Sequence, residues 1–132
     1  MTFGSGSVFA KSGKLKIVTL SSTESESIVM CEDATYVVWM RDLLKFFGYN
    51  LDSPTKMYQD NLSAIWLATH NGAFSRNKHT ILKRSFLKEK IEEGLIAPIH
   101  RDTDKMPADM LTKSMTRLLL HKHMTSIGME RV

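Results

Sequence analysis

The sequence is poor in the features that tie a chain to an oxidising compartment or to a membrane. It has one cysteine, Cys31, which rules out an internal disulfide and a cysteine zinc site. No apolar run approaches the roughly 20 residues that cross a bilayer, and the first residues lack the charged-then-apolar pattern of a secretory signal. We therefore expect an intracellular protein, in the cytoplasm or nucleus, that is not secreted and has no membrane partner. Cys31 falls in a helical pattern, where a small buried hydrophobe is a commoner role than a reactive thiol.

What the composition does contain is typical of a folded domain. The 132 residues are 42% hydrophobic and 24% charged, which suffices for one sizeable core, so we expect a single domain over residues 1–132. The formal charge of +4 and the isoelectric point near 9.3 permit an anionic partner such as nucleic acid. Many soluble proteins are equally basic, however, so charge alone does not select that partner.

The hydrophobic pattern predicts a mixed α/β protein. A long helix is expected over 22–47, with Gly48 as its left-handed cap. Shorter helices are expected over 63–69, from about 78 up to Gly94, and from Pro107 onwards, the last uneven around Thr116. Strands are expected over 8–10, 15–19, 55–58 and 95–100, the first two as an antiparallel hairpin.

The start of the long helix carries a candidate functional carboxylate. An apolar stripe in this helix consists of Met30, Ala34, Val37, Met40, Leu44 and Phe47. Glu26 lies four residues before Met30, on the extension of that stripe, where an ionised group is costly unless it is paired or binds a metal. The competing interpretation is capping, because Ser21-x-x-Glu24 and Thr23-x-x-Glu26 both fit a capping box.

Two aspartates stand at the starts of later elements. Asp60 directly follows the strand over 55–58, and α/β sheets bind ligands beyond the carboxyl ends of their strands. Asp60 or Asn61 could equally cap the next helix. Asp109 follows Pro107 in the first turn of the last helix, where a negative charge suits the helix dipole and needs no other purpose.

A basic stretch follows Gly72. Its candidate nucleic-acid contacts are Arg76, Lys78, His79, Lys83, Arg84 and Lys88, interleaved with an expected inward face of Ile81, Leu82, Phe86, Leu87 and Ile91. A solvated helix face is the alternative interpretation, and Glu89, Glu92 and Glu93 lower the net charge of the segment. His100, at the end of the last expected strand, is more often structural than a ligand, and we expect His121 and His123 to face solvent.

The acidic and basic segments together resemble one known family. Four segments carry the resemblance: Ser21-Ser22-Thr23-Glu24-Ser25-Glu26, Tyr58-Gln59-Asp60-Asn61-Leu62-Ser63-Ala64-Ile65, Arg76-Asn77-Lys78-His79 and Ala108-Asp109-Met110-Leu111-Thr112-Lys113. In this order, and over nearly the whole chain, they resemble the ribonuclease H domain at the end of copia-type retrotransposon polyproteins.

This resemblance implies a ribonuclease H-like fold, a mixed β-sheet flanked by helices, that hydrolyses the RNA strand of an RNA/DNA hybrid. It implies that Glu26, Asp60 and Asp109 are the catalytic and metal-binding carboxylates for magnesium, or manganese in its place. Glu24 is the weaker candidate because the family's acidic residue is the second of the pair. The resemblance also implies an origin in a polyprotein, fused to a reverse transcriptase.

The sequence departs from the family in two places. Family members carry a further aspartate on a strand before the glycine-rich hairpin, and no residue of this sequence matches it. We therefore expect a partial domain that lacks the first strand, weakened metal binding and little or no hydrolysis by this chain alone. The alternative functions are a nuclease-dead nucleic-acid-binding remnant and a functionless relic of a transposon polyprotein. The second departure is Ser27, where the family usually has an aromatic residue, so we expect looser packing beside Glu26.

Overall fold

The computed structural model describes residues 1–4, 6–13, 21–70 and 78–129. The elements in chain order are β1 (Thr2–Phe3), β2 (Gly6–Ser7), α1 (Ser22–Phe46), β3 (Thr55–Gln59), α2 (Leu62–Thr69), α3 (Lys78–Glu92), β4 (Ile96–His100), two 3-10 helices (Thr103–Lys105 and Pro107–Leu111) and α4 (Arg117–Ser126). The chain forms two compact units, one of Met1–Lys14 with Arg101–Val132 and one of Leu15–His100. The predicted mixed α/β class and the order of the elements in the described residues are confirmed.

Helix α1 begins and ends where its sequence signals predict. The Ser21 side chain is the N-cap, since its Oγ accepts the Glu24 N–H over 3.1 Å. Past the other end, Gly48 adopts a φ of 84°, the left-handed conformation that stops a helix. The buried residues of α1 are Ser27, Ile28, Met30, Cys31, Ala34, Val37 and Arg41. The predicted stripe is therefore confirmed over its first half, but Phe47 is 65% exposed and the stripe does not extend to it.

A parallel pair of strands lies beside these helices. Strands β3 and β4 pair from Thr55 opposite Ile96 to Gln59 opposite His100, and α2 and α3 form the connection between them. Asn61 caps α2, because its Oδ1 accepts the Ala64 N–H over 3.1 Å. The strands predicted over 55–58 and 95–100 are confirmed to within one residue at their ends. Parallel pairing places both carboxyl ends at one edge of the sheet.

The inward face of α3 differs from the predicted one. Thr80, Arg84 and Leu87 are buried, whereas Ile81 is 48% and Leu82 is 66% exposed. The prediction that Ile81 and Leu82 face inward is wrong, because the helix turns its 80, 84 and 87 positions, spaced by four and three residues, toward the core. Arg84 lies on the inward face of α3, where an apolar residue is expected.

The other unit is less regular. Strands β1 and β2 pair antiparallel around Gly4, whose φ is 61°. Residues 8–10 form no strand, so the strand predicted there is wrong. The second predicted strand, over 15–19, lies outside the described residues. The final helix is interrupted: a 3-10 turn, Pro107–Leu111, precedes α4, whose N-cap is Thr116. The predicted unevenness around Thr116 is confirmed, whereas His123, expected in solvent, is buried.

Among the described helices, none combines the length and the apolar character needed to cross a bilayer.

Candidate metal centre and nucleic-acid interface

Two of the three predicted carboxylates line one cleft. The cleft has a volume of about 350 Å³ and is lined by Glu26, Asp60, Asn61, Leu62, Ser63 and His100. Its position follows from the fold, because Gln59 and His100 are paired at the carboxyl ends of β3 and β4 and the next residue, Asp60, leaves the sheet at that edge. The first turns of α1 bring Glu26 to the same place. The carboxyl edge of a parallel pair is where α/β proteins bind ligands.

Glu26 has one carboxylate oxygen that is buried. Its Oε2 is buried and accepts no hydrogen bond from any described residue. The capping role considered for Glu26 is filled elsewhere, since Ser21 is the N-cap and bonds to the Glu24 N–H. A buried carboxylate oxygen that neither caps its helix nor accepts a hydrogen bond is unfavourable for the fold alone.

Asp60 likewise leaves the capping of its helix to a neighbour. Asn61 provides the cap of α2, while the Asp60 N–H donates to Gln59 Oε1 over 2.8 Å. The Asp60 carbonyl oxygen lies 3.1 Å from His100 Nε2, and a carbonyl can only accept, so Nε2 carries the hydrogen. These contacts fix the backbone at the end of β3, which orients the carboxylate that follows.

The donor set of the cleft suits a hard divalent cation. Magnesium prefers carboxylate and amide oxygens and keeps several waters, so it needs few protein ligands. The unpartnered oxygen of Glu26 and the neighbouring Asp60 match that preference. The described residues contain no group of three or more histidine, cysteine or acidic side chains that could hold a metal. Within its unit the cleft therefore offers a pair of carboxylates.

Asp109 belongs to the other compact unit. It lies in the 3-10 helix Pro107–Leu111, and its side chain is 17% exposed. Lys113 Nζ lies 2.9 Å from Asp109 Oδ2, and the backbone N–H groups of Thr112 and Lys113 donate to the Asp109 carbonyl oxygen. The Asp-Met-Leu-Thr-Lys segment thus forms one local turn in which Lys113 partly neutralises Asp109.

The predicted basic contacts are placed differently from one another. Lys78 is exposed, Lys83 pairs with Glu32 over 2.5 Å, and Lys88 pairs with Glu92 over 3.6 Å. Arg84 is 8% exposed. Arg76 lies outside the described residues, as does the side chain of His79. The lysines of α3 are therefore at or near the surface, while the guanidinium of Arg84 points inward.

Arg84 contacts the residue next to Glu26. Its Nη2 donates to Ser27 Oγ over 3.2 Å, and Ser27 is completely buried. This contact gives Ser27 a polar partner on α3, and looser packing beside Glu26 stays a prediction. The sequence did not predict this pair, because a basic residue among lysines is usually solvated. His100 was expected to be structural, but it lines the cleft, and its position at the end of a predicted strand is a signal that could have indicated this.

Cys31 confirms its predicted role as a small buried residue. It is 1% exposed, and burial raises the pKa of its thiol from 9.0 to about 11, despite the nearby positive charges of Arg84 and Lys83. A thiol with this pKa is protonated at neutral pH and therefore a poor nucleophile.

The fold and the cleft define a mixed α/β protein with an acidic pair at the carboxyl edge of parallel strands. The chain is 31% identical over 121 residues to the retrovirus-related Pol polyproteins from transposons RE1 and RE2 of Arabidopsis thaliana, covering 92% of this chain and 8% of each polyprotein. It is 30% identical over 116 residues to that from transposon TNT 1-94 of Nicotiana tabacum, covering 88% of this chain and 9% of the polyprotein. Its relatives are thus retrovirus-related Pol polyproteins of plant transposons. No protein-family model and no solved structure matches the chain.

Proposed function

We propose that this chain is a ribonuclease H domain from a copia-type retrotransposon polyprotein, with a ribonuclease H-like fold and an RNA/DNA hybrid as substrate. The observation that carries the proposal is the buried, unpartnered Oε2 of Glu26 in a cleft shared with Asp60. An anionic oxygen kept away from hydrogen-bond donors is costly, and a bound divalent cation offsets that cost. The similarity to transposon Pol polyproteins supports the same assignment.

In this function Glu26 and Asp60 would hold magnesium, or manganese in its place, and Asp109 stays a predicted ligand. The bound metal would supply an activated water and stabilise the charge that develops on the phosphate. The chain's own groups would orient it: the hydrogen bonds around Asp60 fix the end of β3, and Lys113 limits the negative charge at Asp109. The fourth carboxylate implied by the resemblance has no match in this sequence, so we propose weak metal binding and low activity.

The lysines of α3 would contact the phosphate backbone of the hybrid. Lys78 is exposed, and Lys83 and Lys88 form ion pairs with half-exposed or exposed glutamates. Such pairs contribute little, about 0–1 kcal/mol, and can exchange for phosphate. Arg76 and His79 stay predicted contacts. Binding by these side chains should be independent of base sequence and should weaken steeply with salt. An intracellular location, where the hybrid would form, belongs to the same proposal.

The proposal is tested with the whole chain and a labelled RNA/DNA hybrid. We expect salt-sensitive hybrid binding and slow, magnesium-dependent cleavage confined to the RNA strand, abolished by Glu26→Gln and by Asp60→Asn. If the chain binds the hybrid but does not cleave it, and both variants bind as tightly as the wild type, the nuclease-dead binding module is favoured. Absence of both magnesium binding and hybrid binding at low salt would contradict the proposal and favour a functionless relic.

A further inference from the structure

Arg84 and Ser27 form a polar contact inside the unit that carries the cleft. Arg84 on α3 is 8% exposed and Ser27 on α1 is completely buried, with 3.2 Å between Nη2 and Oγ. A guanidinium is never deprotonated in a protein, so a charge resides here in the interior. Because burying a charge is costly, this contact calls for an explanation beyond filling space.

Ser27 transmits this contact to the backbone of α1. Ser27 Oγ donates its single hydrogen to the Glu24 carbonyl oxygen over 2.9 Å. The lone pairs of Ser27 Oγ then accept the hydrogen bond from Arg84. The direction of both bonds is fixed, since Arg84 can only donate. The guanidinium therefore fixes the rotamer of Ser27 and, through it, a turn of α1 that spans Glu24 to Ser27.

Glu26 lies within that turn. The side chain of Glu26 lines the cleft while the adjacent Ser27 faces α3. A second contact between the same helices, Lys83 with Glu32, lies one residue earlier on α3 and five residues later on α1. The Lys83–Glu32 pair is partly exposed and adds little. The buried contact between Arg84 and Ser27 is therefore the one that restrains the start of α1 against rotation about its axis.

We propose that Arg84 is a positioning residue: through Ser27 it holds the first turns of α1 so that the Glu26 carboxylate stands beside Asp60 for metal binding. This inference rests on the proposed metal-binding function of Glu26 and deepens it. Outer-shell partners of metal ligands commonly contribute this way, because they fix the orientation of the ligand before the metal arrives. It gives Arg84 a role different from the phosphate contact that its sequence neighbours predict.

Metal affinity without any nucleic acid separates the two roles. Binding of Mn²⁺ to the whole chain is measured by the free-ion electron paramagnetic resonance signal for Arg84→Met, Arg84→Lys and Ser27→Ala. We expect Arg84→Met to weaken Mn²⁺ binding about tenfold, Ser27→Ala to weaken it in the same direction, and Arg84→Lys to retain part of the affinity because it keeps one donor. A residue that acts only by touching phosphate would leave all three affinities unchanged.

Arg41→Met is the matched control. Arg41 is a second buried arginine, 5% exposed, but it bonds Leu51, Ser53 and Thr55 near the far end of α1. An equal loss of Mn²⁺ affinity in Arg41→Met and Arg84→Met would overturn the inference. If Arg84→Met fails to fold, unchanged Mn²⁺ affinity in both Ser27→Ala and Arg84→Lys would overturn it instead. Glu26→Gln separates this failure from that of the proposed function: if Glu26→Gln leaves Mn²⁺ affinity intact, the metal site itself is wrong and the positioning role falls with it.

Discussion

Arg41 Nη1 donates to Thr55 Oγ1 over 2.9 Å and thereby joins the last third of α1 to the first residue of β3. The same guanidinium donates to the carbonyl oxygens of Ser53, at 3.0 Å, and Leu51, at 2.8 Å. One side chain thus organises the loop between α1 and β3. Glu26 lies near the start of α1 and Asp60 follows the last residue of β3, so this connection joins the ends of the two elements that lie away from the cleft.

Replacement of Arg41 should destabilise the protein strongly. Arg41→Met leaves two loop carbonyls and a hydroxyl without their donor, and a hydrogen bond to a charged group contributes about 1.5–3 kcal/mol. We expect a loss of about 3 kcal/mol in the free energy of unfolding, measured by urea denaturation followed by circular dichroism. Arg41→Lys should recover only part, because an ammonium cannot reproduce the planar fork.

The exposed neighbour Asp42 provides the control for that experiment. Asp42→Asn changes a charge on the same turn of α1 outside the core, so its effect should stay within about 0.5 kcal/mol. Equal effects at Arg41 and Asp42 would show that the three hydrogen bonds do not hold the loop.

The helix ends and the strand positions could be predicted because each depends on a local signal. Ser21 and Gly48 mark the two ends of α1 as caps, and Asp60 is the first residue after the carboxyl end of a strand. Glu26 could be placed toward the body of the protein from a spacing of four residues alone. Such signals act within one turn or one strand, so no knowledge of the tertiary structure is needed to use them.

The buried arginines could not be predicted in the same way. Arg84 lies in a run of basic residues that reads as a solvated face, and its acceptor, Ser27, is 57 residues away in sequence. The exposure of Ile81 and Leu82 follows from the same cause: the orientation of α3 about its axis is set by its contacts with α1, and its own weak apolar periodicity does not determine it.

The thiol of Cys31 should give the protein a distinctive loss of stability at high pH. Its pKa is raised by burial from 9.0 to about 11 in the folded state, so the folded protein retains the proton that the unfolded chain releases. The stabilising contribution is complete below pH 9.0 and is lost as the pH rises toward about 11. A difference of this size corresponds to about 2–3 kcal/mol.

The contribution of Cys31 is isolated by subtraction. Unfolding free energies of the wild type and of Cys31→Ala are compared at a series of pH values between neutrality and the folded-state pKa. Their difference should change in favour of the variant as the pH rises, whereas a constant difference would mean that the thiol does not titrate with unfolding. Alkaline titration of lysines and tyrosines affects both proteins and cancels.

Trp66 should report the binding of a hybrid, and Trp39 should not. Trp66 is 54% exposed, stacks on His70 with 5.0 Å between ring centroids, and follows Leu62 of the cleft by one turn of α2, about 6 Å. Bases stack on exposed aromatic rings and quench their fluorescence. Trp39 has nearly the same exposure, 56%, but lies on α1 more than three turns beyond Glu26.

Two single-tryptophan variants make this comparison direct. Trp39→Phe retains Trp66 and should keep the quenching that an RNA/DNA hybrid causes in the wild type. Trp66→Phe retains Trp39 and should lose most of it. Equal quenching of both tryptophans would place the hybrid elsewhere on the protein.

Lys113 should matter little for stability and more for the charge at Asp109. The pair is 2.9 Å long, but the lysine side chain is 55% exposed, so solvent screens it and Lys113→Met should cost less than about 1 kcal/mol. If Asp109 binds a metal, Lys113→Met should strengthen Mn²⁺ binding, since it removes a competing cation, and Asp109→Asn should weaken it. Both affinities can be measured by calorimetry. Unchanged Mn²⁺ affinity in Asp109→Asn would remove Asp109 from the metal site.

Glu26 should oppose stability in the absence of metal and support it in its presence. Its buried Oε2 has no partner among the described residues, so Glu26→Gln, which removes the charge, should raise the metal-free unfolding free energy by about 1 kcal/mol. Magnesium stabilises a protein that binds it by about 1.4 kcal/mol when the free ion is at ten times its Kd. The melting temperature should therefore rise with Mg²⁺ concentration for the wild type and stay level for Glu26→Gln, so that the two curves cross.

Glu24→Gln is the matched control for this crossing, because it makes the same change two residues earlier in α1, at a residue that does not line the cleft. It should lose slight stability, since a carboxylate in the first helical turn favours the helix dipole. Its melting temperature should still rise with Mg²⁺ in parallel with the wild type. If Glu26→Gln instead lowers metal-free stability and responds to Mg²⁺ like Glu24→Gln, the buried carboxylate serves the fold rather than a metal.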